Sequence, residues 1–329
     1  MFSFQYSLFS KNPRQIKLKS KFLVFLFPFY PLKLMRTINL MTVYALLFGL
    51  RLGLGFLNIK LTGVNTTISF AWLPLMVLGW YFGPVIGFFS GFLTDTVGFL
   101  IRPAVWFWMY AIQEPIVGLV AGLLGSIATL RKNTTRPIVD LLVSQILYML
   151  FIVFTFVIII ELISPNASVF KYHNNRKSQF SLEDNFVNTF KYLALGFLIF
   201  FFLITEFFVL IYYFKNRKNP KKHLVYLIYG SMLVLFSTLV FSFALGPITS
   251  VKYLEYIGRK ATLYLKYGAN YYLLPRIIKE SVKTPVYIIL FTSIVFSFDY
   301  IFVNVKNIAK HKWIRPLFNL NNKIRIKNN

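Results

Sequence analysis

The sequence predicts an all-α polytopic membrane protein of about eight spans, with both termini on the cytoplasmic side. Three observations carry this: high hydropathy, scarce charge, and the places where charge gathers. Of 329 residues, 57% are hydrophobic, and the mean hydropathy is +0.62. Only 14% are charged, against about 25% in a soluble domain, too few to coat a water-facing surface. The 36 basic residues face only ten acids and lie mainly in tails and connections.

A helix needs about 20 apolar residues to cross a bilayer. Eight stretches read as spans: 37–57, 67–82, 84–101, 107–130, 137–163, 190–214, 223–249 and 284–305. The second is short, and Asn65 to Thr67 would complete it. Segment 1–36, connections 131–136 and 215–222, and tail 306–329 together hold 22 of the 36 basic residues. With eight spans they share one side, which the positive-inside rule makes cytoplasmic. The chain therefore divides into a basic N-terminal extension (1–36), a membrane domain (37–305) and a basic tail (306–329). Residues 22–32 imitate a signal peptide, but two prolines interrupt the run and no small-residue cleavage pattern follows. A membrane-surface segment fits better.

The net charge of +26 does not predict nucleic-acid binding, because these cations sit where anionic headgroups want them. There is no cysteine, so no disulfide or thiolate site forms. His173, His223 and His311 lie in separate polar connections, and no metal or cofactor is expected. No phosphate-binding loop, zinc-protease motif or nucleophile elbow occurs; an enzyme is not predicted, and uphill transport would need a partner or an ion gradient. The abundance of Phe, Ile, Lys, Asn and Tyr fits an AT-rich coding genome, such as a mollicute's, and a cell-membrane location. The outer segment 250–283 is basic, against the positive-inside trend. An anionic ligand would explain it, as would lysine scattered by composition.

Charged groups inside spans cost about 2.5–3.5 kcal/mol each at the bilayer centre. Arg51, Asp95 and Glu114 are the central ones. Arg51 could be neutralised by Asp95 or Glu114 in a buried structural pair, or one of these groups could face a ligand cavity. At the start of the fourth span stand Trp106, Phe107, Trp108, Tyr110, Gln113 and Glu114. Such aromatics form an interfacial belt, or else a stacking box for a flat heterocycle whose edge Gln113 and Glu114 would read.

The run LGWYFGPVIGFFSGFLTD (78–95) carries a glycine every fourth position. Gly83-Pro84 reads as a tight cytoplasmic turn, since glycine tolerates unusual backbone angles and proline suits a first helical turn. Gly87 and Gly91 then form a small-residue face, which packs inside the subunit or meets a partner helix. Asp95 is the polar end of that face, held by Arg51 or by a hydrogen bond.

The run 68–100 resembles helices two and three of S components, the substrate-binding subunits of energy-coupling factor (ECF) vitamin transporters. The matching residues are Leu73, Pro74, Leu75, Gly79, Gly83, Pro84, Gly87, Gly91, Asp95 and Gly98. A second block, 267–290, is similar to the folate-type branch, with Arg276 and Lys279 as an Arg-x-x-Lys pair and Pro285 opening the last helix. The resemblance implies a six-helix core, so two helices within 137–214 are expected to form an inserted transmembrane hairpin. It implies folate bound from outside and delivered with a membrane T component and two cytoplasmic ATPases. It also implies a sliding contact with the T component, over Ala45, Gly49 and Gly53 on the first helix and over Gly87 and Gly91. A substrate site near the outer ends of helices four to six would use Trp106, Trp108, Tyr110, Gln113, Glu114, Arg276 and Lys279. An S component for riboflavin or thiamine shares the glycine pattern, and a secondary transporter using Asp95, Glu114 and Arg51 as an ion relay is a further alternative.

Overall fold

The computed structural model describes most of residues 23–28, residues 38–61, 66–101, 105–131 and 137–162, most of 192–214, residues 223–258, and most of 276–302. Apart from that first short piece, the expected extension 1–36 and the tail 306–329 lie outside the described residues. So do Arg102 and the part of the second motif before Arg276.

The protein is an all-α polytopic membrane protein with one small β-hairpin. In order come α1 (Ile38–Leu54), β1 (Asn58–Leu61), β2 (Thr66–Ser69), α2 (Trp72–Phe82), α3 (Pro84–Ile101), α4 (Trp108–Ala111), α5 (Gln113–Arg131) and α6 (Pro137–Leu162). There follow α7 (Leu198–Ile211), α8 (His223–Ser237), a π-helical stretch (Thr238–Ala244), α9 (Leu245–Tyr256) and α10 (Val282–Phe302). Among the described residues, four helical runs are long and apolar enough to cross a membrane alone: Pro84–Ile101, Trp108–Arg131, Leu224–Tyr256 and Val282–Phe302.

Prolines mark the helix starts. Pro84 and Pro137 are the first residues of α3 and α6, and Pro74 and Pro115 fall in the first turns of α2 and α5, where a missing N–H costs nothing. Gly83 ends α2 at φ +93°, its N–H bonded to the Gly79 carbonyl at 2.8 Å. That is the expected tight turn.

Two expectations about spans change. The second predicted stretch, 67–82, is split: the β-branched run Thr66-Thr67-Ile68 is extended and pairs with β1 (Asn58↔Ser69, Leu61↔Thr66), as such residues prefer. Only Trp72–Phe82 is helical. The seventh stretch does not stop at 249 but runs to Tyr256, so part of the expected outer connection 250–283 is helix. Pro247 cannot donate to the carbonyl four residues back, and the π-helical turns immediately before it are where the helix absorbs that defect.

The centre is a tight trio of α2, α3 and α5. A Cβ on Gly87 would collide with the Gly118 carbonyl, one on Gly91 with the Glu114 carbonyl, and one on Gly122 with the backbone at Pro84. Close backbone approach of this kind is what small residues supply in lipid. Gly87 and Gly91 are therefore internal packing residues, which corrects their assignment to a partner surface. Around the trio, α1 packs on α2 and α3, and α8 on α5 and α6. α10 closes the core through Tyr287 stacked on Phe70, Phe291 edge-on to Trp80, and Phe302 stacked on Tyr81. At one end, Leu26 and Pro28 lie against the Gly83 turn, and Ser126 donates to the Phe25 carbonyl at 2.7 Å.

Candidate functional site

Arg51 comes from the last turn of α1 and Glu114 from the first turn of α5. Both are buried, and the guanidinium meets both carboxylate oxygens, with Nε to Oε2 at 3.1 Å. The Thr94 hydroxyl from α3 donates to Oε2 at 2.8 Å. Three helices are thereby joined at one point. Of the alternatives open in the sequence, Glu114 makes the buried pair with Arg51, and Asp95 lies within electrostatic reach of the same guanidinium. Glu114 is thus held by Arg51 and Thr94. Gln113 is buried beside it.

Arg51 also lines a cleft of about 180 Å³, together with Thr94, Asp95, Gly98, Trp106, Phe107 and Tyr110. Asp95 accepts a hydrogen bond from the Trp106 side chain and lies within electrostatic reach of Arg51. Trp106 lines the cleft and is 49% exposed while its side chain is held by Asp95. Trp108 is more exposed still and does not line the cleft.

From the cleft an aromatic wall leads toward α9. Phe107 lies 6.0 Å from Tyr110, 5.8 Å from Tyr253 and 5.5 Å from Tyr256, ring centre to ring centre. Tyr110 meets Tyr253 edge-on at 5.5 Å. Tyr253 and Tyr256 were not singled out in the sequence. Their separation of three positions does place them one helical turn apart, and that was the available signal.

One turn before Tyr253, Ser250 accepts a hydrogen bond from Arg276 at 2.7 Å, and Tyr110 is within electrostatic reach of the same guanidinium. Arg276 also lies against Gly246, where a Cβ would strike its Nη1. Lys279 pairs with Glu280 at 3.4 Å, and Lys283 with Glu280 at 3.5 Å. Ser242, on the π-helical stretch, donates to Glu280 Oε1 at 2.9 Å. Glu280 is almost wholly buried, and its Oε2 has no hydrogen bond; nearby, the Thr249 hydroxyl is also buried and unpartnered. Arg276, Lys279 and Lys283 thus carry three positive charges against one carboxylate. Burial pushes the Lys279 ammonium down from its ordinary range, with Glu280 opposing the shift. Glu280 was seen in the sequence only as an acid in a basic segment.

Of the expected sliding surface, Ala45, Gly49 and Gly53 are exposed on α1, and Cβ atoms on Gly49 and Gly53 would meet open space. They form the outward small-residue face that Gly87 and Gly91 do not.

Residues 35–174 match a family model described as ECF-type riboflavin transporter, S component. The chain is 32% identical over 270 residues to the uncharacterized protein MG313 of Mycoplasma genitalium, covering 81% of this chain and 92% of that protein. It is 31% identical over 271 residues to the MG313 homolog of Mycoplasma pneumoniae, covering 82% and 93%. No solved structure matches.

Proposed function

The chain belongs to the family of these mycoplasma proteins and carries the ECF-type S-component match, and from that premise we propose that it is a folate-type substrate-binding subunit. An S component is a vitamin-transport subunit of the membrane and not an enzyme; its family works with a T component and ATPases. Folate is the finer reading.

One observation carries it. The aromatic cleft at Trp106, Phe107 and Tyr110 leads along Tyr253 and Ser250 to Arg276, beside a buried cluster with net positive charge. A pterin is flat and hydrogen-bonding, and its glutamate tail ends in two carboxylates. Trp106 would stack on the ring, while Arg276 and Lys279 would take the tail, arginine through paired hydrogen bonds. Arg51 and Glu114 would support the cleft.

A second reading, riboflavin, is favoured by the name of the matched family model. Riboflavin is flat but uncharged, so it leaves the cations around Glu280 without a ligand role.

In this reading α6 and α7 are a hairpin added to a six-helix core of α1, α2, α3, α4–α5, α8–α9 and α10. Support comes from their peripheral packing: Asp140 of α6 touches the rest through Arg131 and Tyr229, and Tyr148 of α6 stacks on Phe202 of α7. Ala45, Gly49 and Gly53 would be the face that slides on the T component.

Mass spectrometry of the small molecule that copurifies from native membranes tests the substrate. Folate supports the reading, and a flavin overturns it in favour of the second.

A further inference from the structure

A separate cleft of about 200 Å³ opens where α6 and α7 lean on α8 and α10, away from Arg51 and Trp106. Its polar residues are Ser144, Gln145, Glu206, Ser231, Thr292 and Ser293, and Tyr148 adds a phenol; the rest of the wall is apolar, including Leu235 and Ile288. Three of the hydroxyls already serve their own helices. Ser144 donates to Leu141, Ser231 to Ile228 and Thr292 to Ile288, at 2.7–2.8 Å.

Glu206 differs from these. Gln145 hydrogen-bonds to its side chain, yet its Oε1 is buried without a hydrogen-bond partner. A carboxyl group in an apolar span is costly and marks a functional site by default, and an unmade buried hydrogen bond adds to that cost. What fits this oxygen is a donor. The surrounding faces of α6 and α7 are apolar and exposed, as at Ile146, Leu150 and Phe207, so the cleft is reached from the hydrocarbon of the bilayer and not from water. A hydrocarbon chain matches the apolar wall.

We propose that this cleft binds a single-chain amphiphile whose ammonium or hydroxyl head donates to Glu206 and whose chain lies along α8 and α10. The site is independent of which vitamin the protein carries. It also gives α6 and α7 a role beyond spanning the membrane.

The test uses full-length protein in phosphatidylcholine nanodiscs, with diazirine-bearing oleylamine and oleyl alcohol as probes and peptide mapping of the adducts. Adducts are expected to concentrate on residues 144–148 and 231–235. Excess plain oleylamine or oleyl alcohol should suppress them at least fivefold, and the stronger competitor identifies the head. Methyl oleate, which accepts but cannot donate, should not compete. Glu206→Leu should remove the concentrated labelling. Adducts spread evenly over the lipid-facing helices, or equal competition by methyl oleate in the wild-type protein, would overturn the proposal whether or not the variant folds.

Discussion

Arg51 on α1 and Glu114 on α5 form a buried bidentate ion pair, Thr94 on α3 completes it, and Arg51 and Thr94 also line the aromatic cleft. Removing one partner leaves an uncompensated charge, which typically costs about 3–5 kcal/mol, whereas an apolar replacement of both is often neutral. Arg51→Met and Glu114→Leu should each lower stability by about that amount, and the double variant should recover most of it. Unfolding in detergent micelles measures both. Additive losses in the double variant would show that the two side chains act separately.

The glycines of α3 and α5 predict a contrast with those of α1. Gly118→Val should destabilise the subunit by several kcal/mol, since Gly118 and Gly87 leave no room for a Cβ, and overpacking costs about 1–3 kcal/mol or more. Gly49→Val, with open space around it, should fold normally and lose assembly with the T component. Stability assays paired with copurification of the ATPase subunits separate the two effects; a Gly49→Val protein that assembles normally removes the sliding face from α1.

The aromatic wall predicts graded losses of ligand affinity. A stacked aromatic pair contributes about 0.5–1.5 kcal/mol beyond its burial, so Trp106→Ala and Tyr253→Ala should each weaken binding about three- to tenfold. Trp108→Ala should change it little, because Trp108 stands outside the cleft. Tryptophan fluorescence titration checks the order, and a larger loss at Trp108 than at Trp106 would reverse the assignment.

Lys279 predicts a pH dependence. Its ammonium is held below the ordinary lysine value by burial, so it loses its proton at a lower pH than a free lysine, near 10.4. An anionic ligand needs that charge. Affinity should therefore fall as pH rises, before a free lysine would lose its proton, and Lys279→Arg, which stays charged, should flatten the profile. A profile unchanged by Lys279→Arg would place the anion elsewhere.

The all-α, polytopic membrane character was legible because hydropathy reports solvent directly. The Gly83-Pro84 turn was legible too, since its backbone conformation demands those residue types. The direction a helix face points was not. Gly49 and Gly87 look alike in sequence, and only the position of Gly118, itself unremarked, decides that one faces outward and the other inward. Arg51 likewise had two acids within reach, and α3 and α5 had to be placed before the bidentate pair with Glu114 could be seen. The splitting of 67–82 by β2 was hidden because an apolar, β-branched run reads equally as a buried strand or the start of a helix. Glu280, the acid at the centre of the basic cluster, was obscured by the lysines that neutralise it.

The most direct test of the central claim is equilibrium binding of folate and riboflavin to the purified protein in nanodiscs, alongside Arg276→Ala. Folate is expected to bind at least a hundredfold more tightly than riboflavin, with Arg276→Ala losing at least tenfold of that affinity. Tight riboflavin binding that is indifferent to Arg276, with no folate binding, would contradict it.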